Sequence, residues 1–98
     1  MEKVKDEEQE QFQRDLLDFI NIQFISPISI KGKRPTIRQY VEIMNIRRTT
    51  INKLTTSNGY DVPISTIRKV CKYAKISIAE FFTMFEAYLK EKESVIEK

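Results

Sequence analysis

The chain has no histidine and no tryptophan, one cysteine, two glycines and three prolines in 98 residues. Each shortage removes a class of chemistry. Without histidine there is no Ser-His-Asp or Cys-His constellation, and the commonest general base and metal ligand are both missing. Cys71 alone builds neither an intrachain disulfide nor a cysteine-rich zinc site, and is read as a small core residue. Two glycines are too few for a glycine-rich phosphate loop. A membrane span needs ~20 apolar residues, and the stretch 19–25 is short and interrupted by Asn21 and Gln23. The first twenty residues carry seven carboxylates and no apolar segment of signal-peptide type. The expectation is a non-enzymatic cytoplasmic protein with no catalytic residues, no metal and no cofactor.

What remains is charge and apolar periodicity. Charged residues make up 32% of the chain and apolar residues 41%, enough for one small core. The net charge of +3 conceals a strong segregation. Residues 1–20 set seven carboxylates against three cations. Residues 21–79 set eleven cations (Lys31, Lys33, Arg34, Arg38, Arg47, Arg48, Lys53, Arg68, Lys69, Lys72 and Lys75) against Glu42 and Asp61. Residues 80–98 return to five Glu against three Lys. A basic middle between acidic ends is the electrostatic footprint of a polyanion-binding protein; a merely solubilising basic face is the plainer alternative.

The periodicity is helical. Phe12, Leu16, Phe19, Ile20 and Phe24 share one face of a helix from about 8 to 25, ended by Ser26-Pro27. Residues 28–35 form a basic connection, a loop or a short strand on the alternation of Ile28 and Ile30. Thr36 is set to cap a second helix carrying Ile37, Tyr40, Val41 and Met44. Asn45 is suited to a left-handed turn, and a third helix with Ile51 and Leu54 inward starts near Arg47. Ser57-Asn58-Gly59 signals a turn. Ser65 is read as the cap of a fourth helix with Ile67, Val70, Cys71 and Ala74 inward, and Ser77 as the cap of a fifth. The fold expected is all-α, five helices with extended first and last members. Residues 1–10 are read as an acidic, frayed extension, 11–90 as the domain and 91–98 as a polar tail.

Residues 36–54, TIRQYVEIMNIRRTTINKL, carry the functional reading. Two short helices joined at Asn45-Ile46-Arg47 make a helix-turn-helix, with Val41 at the crossing and Ile51 and Leu54 anchoring the second helix. The polar face of that helix, at about 47–56, offers Arg47, Arg48, Thr49, Asn52 and Lys53. Arginine and lysine can donate to guanine, asparagine can pair with adenine, and the threonine methyl can touch thymine.

The segment resembles the phage lambda repressor-like helix-turn-helix family (Cro/CI, XRE), and the likeness continues through STIRKVCKYAKISIAEFF at 65–82. The resemblance implies a five-helix lambda repressor-like DNA-binding domain. It places Arg48, Thr49 and Lys53 where family members read base edges, with Arg47 and Thr50 beside them. It places Thr56 at a phosphate contact. Three positions depart from the family pattern. Val41 stands for the usual alanine and Asn45 for the usual glycine. Ile37 stands where glutamine often clamps a phosphate, a contact that Arg38 or Lys33 can supply instead. The connection at 28–35 is longer than most family members need.

The sequence therefore leads us to expect a double-stranded DNA-binding transcriptional regulator, a repressor for preference, of phage, plasmid or bacterial type. Base readers are Arg47, Arg48, Thr49, Asn52 and Lys53; phosphate contacts are Lys31, Lys33, Arg34, Arg38, Thr50 and Thr56. A homodimer on a palindromic operator would use Phe81, Met84, Phe85, Tyr88 and Leu89 of the last helix as its interface. The rival reading is a protein-interaction module, such as an antitoxin or accessory protein, holding a protein partner on that same apolar surface.

Overall fold

The first helix is started by its own acids. Asp6 accepts a hydrogen bond from the Gln9 amide at 3.1 Å, and Glu7, Glu8 and Glu10 fill the first turn, where the helix dipole favours negative charge. In this computed structural model the described residues are 6–96, with side chains described to Glu93. Helix α1 runs Glu7–Ile20, so part of the expected acidic extension is ordered helix; residues 1–5, its remainder, lie outside the described residues. Beyond Ile20 the helix continues but widens into a π-helical turn over Asn21–Ile25, closed by the Ser26 amide donating to Asn21 O at 2.7 Å. Pro27 has no amide hydrogen, so the ladder ends there, although Ser26 itself keeps helical dihedrals.

The connection to the second helix is a tight turn. Ile30 and Lys33 exchange both backbone hydrogen bonds, at 2.9 and 3.0 Å, across Lys31 and Gly32. Both tip residues have positive φ, 53° and 77°, the pattern of a type I′ turn. No strand extends from it among the described residues, which settles the choice at 28–35 for a loop.

Helix α2, Ile37–Met44, opens with a full capping box: the Thr36 hydroxyl takes the Gln39 amide, and the Gln39 side chain takes the Thr36 amide. It ends at Asn45 in the left-handed conformation. Helix α3 is Arg48–Thr56, α4 is Ile64–Ala74 and α5 is Ile78–Ile96. Ser77 and Glu80 form a second capping box that starts α5. Two expectations need correction. The cap of α4 is Pro63, not Ser65, because proline's fixed φ suits the residue that leads into a helix and the chain turns helical at once behind it. The expected polar tail from 91 is helical as far as Ile96; residues 97–98 lie outside the described residues.

The five helices enclose one core. Helix α1 packs on α5, α2 on α3 and α4, and α4 on α5. Around α1 and α5 the core is aromatic. Phe19 sits 5.4 Å from each of Phe81, Phe85 and Tyr88, and Phe24 stacks on Phe81 at 5.6 Å. Around α2–α4 it is mostly aliphatic, built from Met44, Ile46, Ile51, Leu54, Val62, Ile67 and Val70 with Tyr40 and Cys71. Asn21 joins the two parts: its amide donates to Leu17 O at 2.9 Å and to Leu54 O at 2.7 Å, tying the end of α1 to the end of α3.

Candidate nucleic-acid interface

Between α2 and α3 the chain needs a sharp reversal, and three residues supply it. Asn45 takes φ 57° and ψ 44° while its amide still bonds Val41 O. Asparagine bears this conformation more readily than most residues. Ile46 is buried at 2% exposure and pins the turn to the core. Arg47 then leads into α3 with an extended backbone and an outward side chain.

Helix α3 divides cleanly into two faces. Ile51 and Leu54 are buried and hold it to the core, each contributing about 1.5–3 kcal/mol. Arg48, Thr49, Asn52, Lys53 and Thr56 are exposed. At 100° per residue these five span an arc of about 140°. No carboxylate lies on α3, and among the described residues no ion pair engages Arg47, Arg48 or Lys53. The face therefore presents unneutralised cations together with polar side chains. It can donate to anionic oxygens and to the acceptor edges of bases.

Within that face the residues are not equivalent. Lys53 Nζ lies 5.5 Å from the centroid of the Tyr60 ring, so a cation–π contact draws it toward the loop after α3. The Thr56 hydroxyl donates to Asn52 O at 2.6 Å. A phosphate contact through that hydroxyl hydrogen requires it to rotate away. Thr50 is half-buried and faces a notch between the starts of α3 and α4, where Arg47, Tyr60, Ser65, Thr66 and Lys69 also gather. Tyr60 and Ser65 were not among the expected site residues; both enter through the path of the loop after α3, for which the sequence carries no periodic signal.

The cations expected to reach phosphate fall in two places. Lys31, Lys33 and Arg34 are exposed on the type I′ turn and just behind it, and Arg38 is exposed on the first turn of α2. Pro35, between Arg34 and Arg38 in the chain, is buried. Arg68, Lys69 and Lys72 are exposed along α4.

Two of the five residues expected on the docking face of the last helix are not open to a partner. Phe81 and Phe85 are 0% and 1% exposed and are core residues. Phe19 and Phe24 of the first helical segment cover this part of the α5 stripe, and Phe12 adds an edge contact to Phe85 at 5.4 Å. Met84, Tyr88 and Leu89 are half-buried against the same core. Of these, Met84 opens onto a shallow apolar groove beside Phe24, Ile28 and Tyr73. Among the described residues no cluster of potential ligands could hold a metal ion, and no helix is long and apolar enough to cross a membrane. No protein-family model, curated protein or solved structure matches the chain.

Proposed function

We propose that this chain is a sequence-specific, double-stranded DNA-binding regulator, a repressor by preference, that reads the major groove with α3. The observation that carries the reading is the acid-free arc of Arg48, Thr49, Asn52, Lys53 and Thr56 on a helix anchored by Ile51 and Leu54. Arg47 adds an exposed cation just ahead of the helix, beside the notch that Thr50 faces. The likeness of residues 36–82 to the lambda repressor-like family supports it, as does the concentration of cations between 21 and 79. In this reading Arg48, Thr49 and Asn52 face base edges. Lys31, Lys33, Arg34 and Arg38 contact the backbone and set register, which carries affinity rather than sequence preference. A homodimer would present two α3 helices about 34 Å apart, matching a palindrome. Phe81 and Phe85 are committed to the core, which leaves Met84, Tyr88 and Leu89 of the expected interface partly open.

A labelled random duplex titrated with protein across a salt series tests this. Fluorescence anisotropy should show binding that weakens steeply with salt, with a log–log slope of about −0.9 per phosphate engaged. Absence of binding at low salt would remove the proposal.

A further inference from the structure

The type I′ turn does more than expose lysines. It stands over a notch of about 240 Å³ that lies between the turn, the end of the π-helical segment and α2. Ser26, Ser29, Gly32, Lys33, Arg34 and Tyr40 line it together with Ile25 and Ile28. Tyr40 is 2% exposed, and its hydroxyl makes no hydrogen bond to a described residue. Yet no fully occluded side-chain polar atom lacks a partner among the described residues. The hydroxyl therefore keeps some of the little exposure that Tyr40 has, and this notch is a cavity that Tyr40 lines. A core tyrosine normally finds a partner for its O–H. Here the notch offers a place for one.

Ile25 and Ile28 give the notch apolar walls, and the polar side chains on it are hydroxyls and cations without a carboxylate. The Ser26 and Ser29 hydroxyls also make no hydrogen bond among the described residues, and Lys33 and Arg34 engage no carboxylate there. No acidic residue occurs in the sequence between Asp18 and Glu42. Three hydroxyl donors, a lysine and an arginine fork surround one small space. That set suits a tetrahedral oxyanion, with bidentate donation from arginine and charge-assisted bonds from the hydroxyls. The notch falls below the roughly 300–1,000 Å³ of pockets for whole drug-sized molecules, and it is the donor set rather than the volume that points to a phosphate group.

We propose that this notch is a phosphate-binding subsite, with the Tyr40 hydroxyl as its floor and Lys33 and Arg34 as its rim. It deepens the DNA-binding reading if the phosphate belongs to a duplex backbone, and that arm rests on that reading. A free phosphate group presents the same oxygens, and for it the chemistry of the notch stands alone. Gly32 matters in either case. Its φ of 77° is strained for any side chain, so the turn that positions Lys33 depends on it.

The full chain, ¹⁵N-labelled, is titrated with inorganic phosphate and, at matched ionic strength, with sodium chloride. The Gly32 and Ser29 amides are followed, and duplex affinity is measured by anisotropy in parallel. Tyr40→Phe removes one oxygen and keeps the ring in the core; Ser29→Ala removes a second hydroxyl of the notch at an exposed position, where folding is not at stake. Loss of a hydrogen bond to a charged group is worth roughly tenfold in affinity or more. A tenfold loss of duplex affinity in Tyr40→Phe, equal on every sequence, assigns the phosphate to a backbone. Saturable movement of Gly32 by phosphate but not chloride, weakened in Tyr40→Phe with duplex affinity unchanged, assigns it to a free phosphate. Movement of Gly32 by phosphate in a wild-type chain that binds no duplex keeps the subsite and discards the DNA reading. If both variants bind phosphate and duplex as the wild type does, the proposal is overturned.

Discussion

The two ends of the core are built on different principles. Where α1 meets α5, seven aromatic side chains and one ion pair lock two long helices together. Where α2, α3 and α4 meet, the helices are short, the core is mainly aliphatic, and cations crowd the outside. A nine-residue helix such as α3 is too short to persist alone in water. It is held by two buried side chains, by the turn before it and by Asn21 reaching across from the aromatic half. The contrast separates what makes the chain fold from what it offers to a partner. The exposed polar and basic arc of α3 adds little to stability, so the helix depends on Ile51, Leu54 and the rest of the core, of which the aromatic half is the larger-ringed part.

The sharpest way to break this comparison is to remove its centre. Phe81 is wholly buried and touches Phe19, Phe24 and Phe82. Phe81→Ala should cost about 3–5 kcal/mol, a large share of what a domain of this size has. Urea unfolding should show one cooperative transition moved far toward lower denaturant, with α3 lost together with α5. If α5 unfolds first while α2–α4 stay protected from hydrogen exchange, the two halves are independent units and α3 does not depend on the aromatic half.

The second perturbation should leave folding alone. Arg48 is exposed and engages no carboxylate among the described residues, so Arg48→Ala should change stability by no more than about 0.5 kcal/mol. In the DNA-binding reading it should reduce discrimination between duplexes by about 1–3 kcal/mol at one base position. Lys33→Ala, by contrast, should weaken all sequences alike and lower the salt slope by about one phosphate's share. Competition between the preferred duplex and single-base variants decides it. An equal loss on every duplex for Arg48→Ala would reassign that residue from bases to backbone.

The two halves were also unequally legible in the sequence. The start of α2, the turn at Asn45 and the start of α5 could be read because each is local: a hydroxyl ahead of a periodic run, or a residue that tolerates positive φ. The boundary of α4 was misplaced by one plausible cap among neighbours, since Pro63 and Ser65 both suit a helix start. The exposed face of α3 was legible because Ile51 and Leu54 fix its phase, and with it the outward position of Arg48 and Asn52. What could not be read depends on contacts distant in the chain. Phe81 was misassigned because its cover, Phe19 and Phe24, lies more than fifty residues away. Asn21 looked like an interruption in an apolar run, whereas its partner is the Leu54 carbonyl. The notch under the type I′ turn depends on a core tyrosine whose hydroxyl position no periodicity reports.

The smallest effect concerns the ion pair that fastens the far end of α5. Lys92 Nζ lies 2.7 Å from the Asp15 carboxylate, which also accepts from Gln11, and 5.7 Å from the centroid of the Tyr88 ring. The hydrogen bond to Asp15 is the main reason that the Lys92 pKa lies above its ordinary value of 10.5; desolvation opposes it, and the charges of Asp15, Tyr88 and Asp18 add to it. A lysine pKa raised by folding means that the folded state holds the proton more tightly. Its stabilisation is thus complete below the unfolded value and disappears as pH rises through the folded one. The Lys92 side chain is 37% exposed, so solvent screens the pair and its worth is at most about 1 kcal/mol. Replacing Lys92 by methionine keeps much of the apolar stem over Tyr88 and removes the charge. Thermal unfolding of wild type and Lys92→Met should differ by a small constant amount from pH 7 to 9, and the gap should narrow only above the ordinary lysine range. A gap that closed near neutrality would mean that the pair's charge is not what fastens α5 to α1, and that the aromatic contacts hold the helix to its end unaided.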